Sequence, residues 1–141
     1  MTPAHIALVQ RSFSRVVRHP DETAALFYRR LFEIDPSRKA LFKGDMKRQG
    51  KMLMATLGTI VDQLQSESGV QPALEALARR HIGYGVQVQD FTAVGTSLLW
   101  AIEAMLGRDF TVETRKAWMA AYALVASIMR EAMRRANADG A

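Results

Sequence analysis

A chain of 141 residues is long enough for one domain around one core, and 49% apolar against 23% charged residues marks a folded rather than a disordered polypeptide. There is no cysteine, which excludes disulfides, zinc–thiolate centres and iron–sulfur clusters. The net charge of +5 is spread over Arg15 and Arg18, Arg29 and Arg30, Lys47 and Arg48, Arg79 and Arg80, and Arg134 and Arg135. Charge scattered in this way reads as solvated surface, not as the single basic element with neighbouring base readers that nucleic-acid binding needs.

The N-terminus, Met1-Thr2-Pro3-Ala4-His5-Ile6, lacks the basic-then-apolar order of a secretion signal, and the longest nearly unbroken apolar run, Met119 to Met129, is too short to span a bilayer. The expectation is a cytoplasmic protein with neither a membrane nor a nucleic acid as partner. Ala, Leu, Met, Arg, Glu and Gln dominate, all good helix formers; there are only 9 Gly and 4 Pro, and most of the Pro fall near the ends of periodic segments. No stretch alternates as a strand would, so the expected class is all-α, with residues 1–141 forming one domain.

In chain order, the first helix is expected over about 2–18, with Ile6, Val9, Phe13, Val16 and Val17 as its apolar stripe. His19-Pro20-Asp21-Glu22 breaks the chain and restarts it, with Pro in the first turn and acids at the positive helix end. The second helix then runs to about Ile34, with Ala24, Phe27, Leu31 and Ile34 inward, Phe32 widening the face and Tyr28 turned in beside Ala24 and Leu31. Asp35-Pro36-Ser37 starts a short turn through Phe42, and Lys43-Gly44-Asp45 makes a corner. A third helix over about 45–64 carries Met46, Leu53, Leu57, Ile60, Val61 and Leu64, and Gln49 lies on the same stripe, four residues before Leu53.

The next helix, from about residue 71, brings Leu74, Leu77 and His81 onto one face at steps of three and four, just before Gly83 and Gly85. Another spans about 90–106 with Phe91, Val94, Leu98, Ile102 and Met105 inward. Gly107-Arg108-Asp109 turns the chain, and Thr111 is placed to cap a last helix bearing Trp118, Tyr122, Val125, Met129 and Met133. Residues 137–141 read as a frayed tail.

Tyr28, Gln49 and His81 are uncharged polar residues on three otherwise apolar stripes. Burying such a group without a partner costs ~1–3 kcal/mol. Two readings follow from pattern alone. Each group bonds separately to backbone or water, or the three share a cavity with something polar inside. His81 is in turn either an ordinary buried histidine bonded to a carbonyl or a metal ligand.

These stretches also carry a resemblance. Leu26-Phe27-Tyr28-Arg29-Arg30-Leu31-Phe32, Pro36 through Leu41-Phe42, Gln49 through Leu53-Met54, Leu57-Gly58, Arg80-His81, Tyr84-Gly85-Val86, Val94-Gly95, Leu98-Leu99, Ala117-Trp118 and Ala121-Tyr122 stand in the order and spacing of a globin. The chain resembles bacterial single-domain globins and the haem domain of flavohaemoglobins from about residue 5 to 133. That resemblance implies a globin fold around one haem b, without a separate helix between Phe42 and Gln49. It makes His81 the one protein ligand of the iron, with its other N–H directed to a carbonyl such as that of Leu77. Phe42 would wedge against the porphyrin, Val86, Phe91, Val94 and Leu98 would line the proximal side and rim, and Tyr28, Gln49 and Leu53 would face the ligand. A phenol O–H and an amide N–H₂ stabilise a ligand that gains negative charge on coordination without bringing a charge into the cavity, while Leu53 keeps the pocket dry.

Two departures stand out. Flavohaemoglobins have, early in the helix after the proximal histidine, a tyrosine that bonds to it; this chain has Phe91 there. Partners for the haem propionates do not carry over, leaving Arg48, Lys51 and Arg80 as candidates. The expected function is reversible binding of O₂, NO and CO. The rival is a nitric oxide dioxygenase drawing electrons from an external reductase. The remaining classes are a sensor, which needs an output domain, and a haem-free helical interaction protein, which would be colourless.

Overall fold

A computed structural model describes residues 1–41, 44–65, 72, 74–80 and 90–139. The described residues contain α-helices, short 3₁₀ turns and no strand. The helices are α1 (Pro3–Val16), α2 (Pro20–Ile34), α3 (Met46–Asp62), α4 (74–80), α5 (Asp90–Leu106) and α6 (Val112–Asp139). Pro36–Leu41, Gln63–Gln65 and Gly107–Asp109 are the 3₁₀ turns.

The helix ends follow local chemistry. Thr2 caps α1, its hydroxyl accepting from the His5 N–H, and Pro3 occupies the first turn, where no N–H is needed. Asp45 caps α3 by accepting from the Lys47 N–H at 2.9 Å. The cap expected at Thr111 is present, its hydroxyl accepting from the Thr114 N–H at 3.1 Å. Two corners need glycine: Gly44 at φ 103° just before α3 and Gly107 at φ 56° just after α5. Between Pro36–Leu41 and α3, no separate helix intervenes among the described residues.

Three expectations are corrected. Val17 is 41% exposed, because α1 ends at Val16 and that residue fills the buried position. Ile34 is also 41% exposed; it is the last helical residue, and the chain leaves it in extended form at Asp35 (φ −146°, ψ 98°). The tail is not frayed from 137, since α6 stays helical through Asp139.

The core is densest where α1 packs on α6 and α2 packs on α5. Val9, Val16, Leu31, Leu74 and Ile102 are at or below 1% exposure. Trp118 of α6 stacks at a tilt on Phe13 and donates its indole N–H to the Ser12 hydroxyl at 2.9 Å, which itself donates to the Leu8 carbonyl at 2.7 Å. α5 presents Ala93, Ser97 and Ala101, all buried and at helical spacing, along one face. On the same side, Trp100 lies under the Arg29 and Arg30 guanidiniums of α2, each 5.5 Å from its ring. The scattered cations behave as the sequence suggests: Arg29 and Arg30 pair with Glu33, Arg115 with Glu103, and Arg134 and Arg135 with Glu131, all at the surface. No described helix is long and apolar enough to cross a membrane.

One close approach joins α5 to α6. A Cβ on Gly95 would collide with the edge of the Tyr122 ring. That ring cannot swing away freely, because its hydroxyl donates to the Phe91 carbonyl at 2.5 Å. Overpacking of this kind costs ~1–3 kcal/mol, so Gly95→Ala is expected to lower stability by that amount in urea melts, although alanine is the better helix former. An unchanged or raised midpoint contradicts this packing.

Candidate functional site

α3 and α5 each pack against α1 and α2, but they make no extended contact with one another. Both rest on α2, which forms a floor beneath them. The inward stripes of these helices are not wholly sealed into the core. Leu53 and Leu57 of α3, Leu77 of α4 and Val94 of α5 are only half-buried, although they occupy stripe positions and rest against the core cluster. Phe91 and Leu98 are buried at 4% and 7%. Apolar side chains left half-open on inward faces fit contact with a flat, largely apolar body.

One polar group is built into this floor. Tyr28 is 8% exposed, its ring edge-on to Phe27 (centroids 5.0 Å apart) and stacked near Phe32 at 6.0 Å. Its hydroxyl donates to the main-chain carbonyl of Gln49, in the first turn of α3, at 3.3 Å. Burial, which penalises the phenolate, pushes the Tyr28 phenol up to about 12. At neutral pH the group is therefore a neutral donor on an apolar floor. Gln49 itself is half-buried.

A second tyrosine plays a similar part at α5. Tyr122 donates to the Phe91 carbonyl in the first turn of α5. Burial again raises its phenol to about 12, partly offset by the nearby Arg130 charge and the Gly95 backbone. The Arg130 guanidinium also lies 5.8 Å from the Phe91 ring. Sequence reasoning placed Tyr122 on an inward stripe but missed its carbonyl partner. It also assigned Gln49 through its side-chain amide, whereas the Tyr28 hydroxyl uses the main chain there. Main-chain acceptors have no residue-type signature. The one available clue was the pairing of an inward Tyr with a first-turn residue on a neighbouring helix.

Of the residues singled out from sequence, Tyr28 and Gln49 meet at the α2–α3 crossing, Leu53 stands one turn further along α3, and Phe91, Val94 and Leu98 share one side of α5. Leu77 lies on α4. His81, Phe42 and Val86 lie outside the described residues, so the structure does not place the expected iron ligand, the aromatic wedge or that rim position. Of the propionate candidates, Arg48, Lys51 and Arg80 are all exposed.

The comparison that decides the family concerns the same segments. The sequence pattern of the globin family matches residues 25–129, from α2 into α6. The chain belongs to the globin family. Its all-α architecture is the globin fold. It is 29% identical over 133 residues to a flavohemoprotein of Xylella fastidiosa and 27% identical over 132 residues to a flavohemoprotein of Bordetella bronchiseptica. Each match covers 92% of this chain and 33% of the relative, so the chain spans about a third of the length of these curated relatives. Among solved structures it is similar to an engineered carbene transferase from Rhodothermus marinus, described as a candidate nitric oxide dioxygenase. That match has a TM-score of 0.87 and 27% identity, and covers 98% of this chain and 96% of that one. Membership of this family implies a haem cofactor, and the half-open apolar stripes with one neutral donor on the floor fit such a group.

The two buried phenols give a pH signature. Each keeps its proton to about 12 in the folded chain, against the ordinary 10.0. A raised folded value means that the stabilisation is fully present below pH 10 and is lost as pH rises through 12. Chemical-denaturation midpoints are expected to fall between pH 10 and 12. In the Tyr28→Phe/Tyr122→Phe double variant that slope flattens, and an unaltered slope contradicts the burial argument.

Proposed function

We propose that residues 1–141 act as one globin domain that holds haem b between α3 and the segment carrying His81, and reversibly binds O₂ and other diatomic ligands. The observation that carries this reading is the Tyr28 hydroxyl: a buried, neutral, single-proton donor on α2, within reach of the first turn of α3. Haem, when bound, supplies an iron that coordinates a diatomic ligand. In this reading His81 donates its imidazole lone pair to the metal, with its other N–H directed to a carbonyl of α4 such as that of Leu77. Phe42, Val86, Phe91, Val94 and Leu98 surround the porphyrin with apolar surface, and Leu53 excludes water from the ligand side. Tyr28 and the Gln49 amide supply donors to the charge that a ligand such as O₂ gains on coordination. Because both stay neutral, they stabilise that charge without a permanent ion in a dry cavity.

If those donors act in this way, Tyr28→Phe and Gln49→Leu each remove a hydrogen bond worth ~0.5–1.5 kcal/mol, so O₂ release quickens by about threefold to tenfold. Stopped-flow release rates check this, with CO release as the reference that changes little. Equal O₂ rates in wild type and both variants would contradict the assignment.

The similarity to the flavohemoproteins and to the Rhodothermus marinus protein supports a second reading, a nitric oxide dioxygenase. The balanced reaction joins NO, O₂ and one electron to give nitrate, so sustained turnover requires an electron donor, here an external reductase. With a chemical reductant or an added flavin reductase, this reading expects many NO consumed per haem. A single turnover favours the carrier.

A further inference from the structure

The Tyr28 hydroxyl has one proton and, in this structure, an internal acceptor for it. In the proposed function a bound ligand would need that same proton. The Gln49 carbonyl can only accept, so it and the ligand compete. How well the carbonyl competes depends on how closely α3 approaches α2, and that approach is set one residue further along. A Cβ built on Gly50 would lie 2.9 Å from the Ala24 Cβ. Carbon atoms pack at about 3.5–4.0 Å, and both atoms are fixed to main chain, so a side chain at Gly50 forces the helices apart rather than rotating away. Ala24 precedes Tyr28 by one helical turn and shares its face of α2. The tightest point of the crossing therefore sits beside the hydrogen bond it controls. The bond, at 3.3 Å, is already long for an O–H donor, whose usual distance is about 2.7–2.8 Å, so a small separation removes it.

We propose that the Ala24–Gly50 contact is a positioning device: it sets the reach of the Gln49 carbonyl to Tyr28 and thereby weakens the donor's hold on the bound ligand. Neither residue touches the ligand; both act through the spacing. The inference rests on the haem reading above.

Its test uses the full chain loaded with haem, and reads the infrared stretch of CO together with O₂ and CO release rates. In Gly50→Ala the carbonyl is drawn off and no longer competes for the Tyr28 proton, the CO stretch falls and O₂ release slows by about threefold to tenfold, while CO release changes little. Ala24→Gly lets the helices close and shifts both readouts the opposite way. This variant keeps the proposal testable even if Gly50→Ala folds poorly. The Ala24→Gly/Gly50→Ala double variant returns towards wild type, and in a Tyr28→Phe background Gly50→Ala has no effect. Gly58→Ala is the matched control on the same helix, because a Cβ there meets the Phe13 ring at an ordinary 3.8 Å. Faster or unchanged O₂ release in Gly50→Ala, or equal shifts in Gly58→Ala, overturns the inference and leaves the haem reading standing. Failure of the wild-type chain to take up haem ends both.

Discussion

A phenol hydroxyl buried among apolar side chains must find an acceptor, and Tyr28 finds one in the main chain of the helix crossing above it. That requirement ties together three facts that look separate in the sequence: a tyrosine on an apolar stripe, a corner glycine at Gly44, and a second glycine, Gly50, in the first turns of α3. The corner lets α3 begin where it does, Gly50 permits the approach to Ala24, and the approach brings a carbonyl within range. Tyr122 meets the same need by donating to the first turn of α5, across a contact so close that Gly95 has no room for a Cβ. Both helices resting on α2 are thus pinned near their N-terminal ends by a tyrosine from another helix.

The pinning matters because the two helices do not support each other. α3 and α5 are held through α1 and α2, and their inward residues Leu53, Leu57 and Val94 remain half-open while the α1–α6 and α2–α5 contacts are sealed. Apolar surface left open on those inward faces is surface that a bound cofactor would cover, at ~25 cal/mol for each Å². Stability and cofactor binding are therefore linked in this chain, since a group that binds only the folded form also stabilises it.

Much of this was legible in the sequence. The 3.6-residue periodicity located α1, α2, α3, α5 and α6, and Pro20, Asp45 and Thr111 marked starts that the structure keeps. Periodicity failed at helix ends, where Val17 and Ile34 continue the pattern after the core has run out. On the candidate site, the side chain of Tyr28 was found because a polar residue in an apolar stripe is conspicuous. Its acceptor was not, because a carbonyl belongs to every residue alike. The Ala24–Gly50 crossing escaped for a related reason: a small residue in a helix is unremarkable until a second small residue meets it from 26 positions away. The assignment of His81 came from resemblance and from its place on the Leu74–Leu77 face, and it lies outside the described residues.

The two tryptophans sit in opposite surroundings. Trp118 is enclosed where α1 meets α6, with its indole N–H bonded to Ser12, whereas Trp100 is only half-buried beneath two arginines on the α2–α5 side. Their fluorescence should differ in colour and in access to soluble quenchers such as iodide. The natural chain thereby carries one optical reporter between α1 and α6 and another between α2 and α5, so loosening of either half can be followed without attaching a dye.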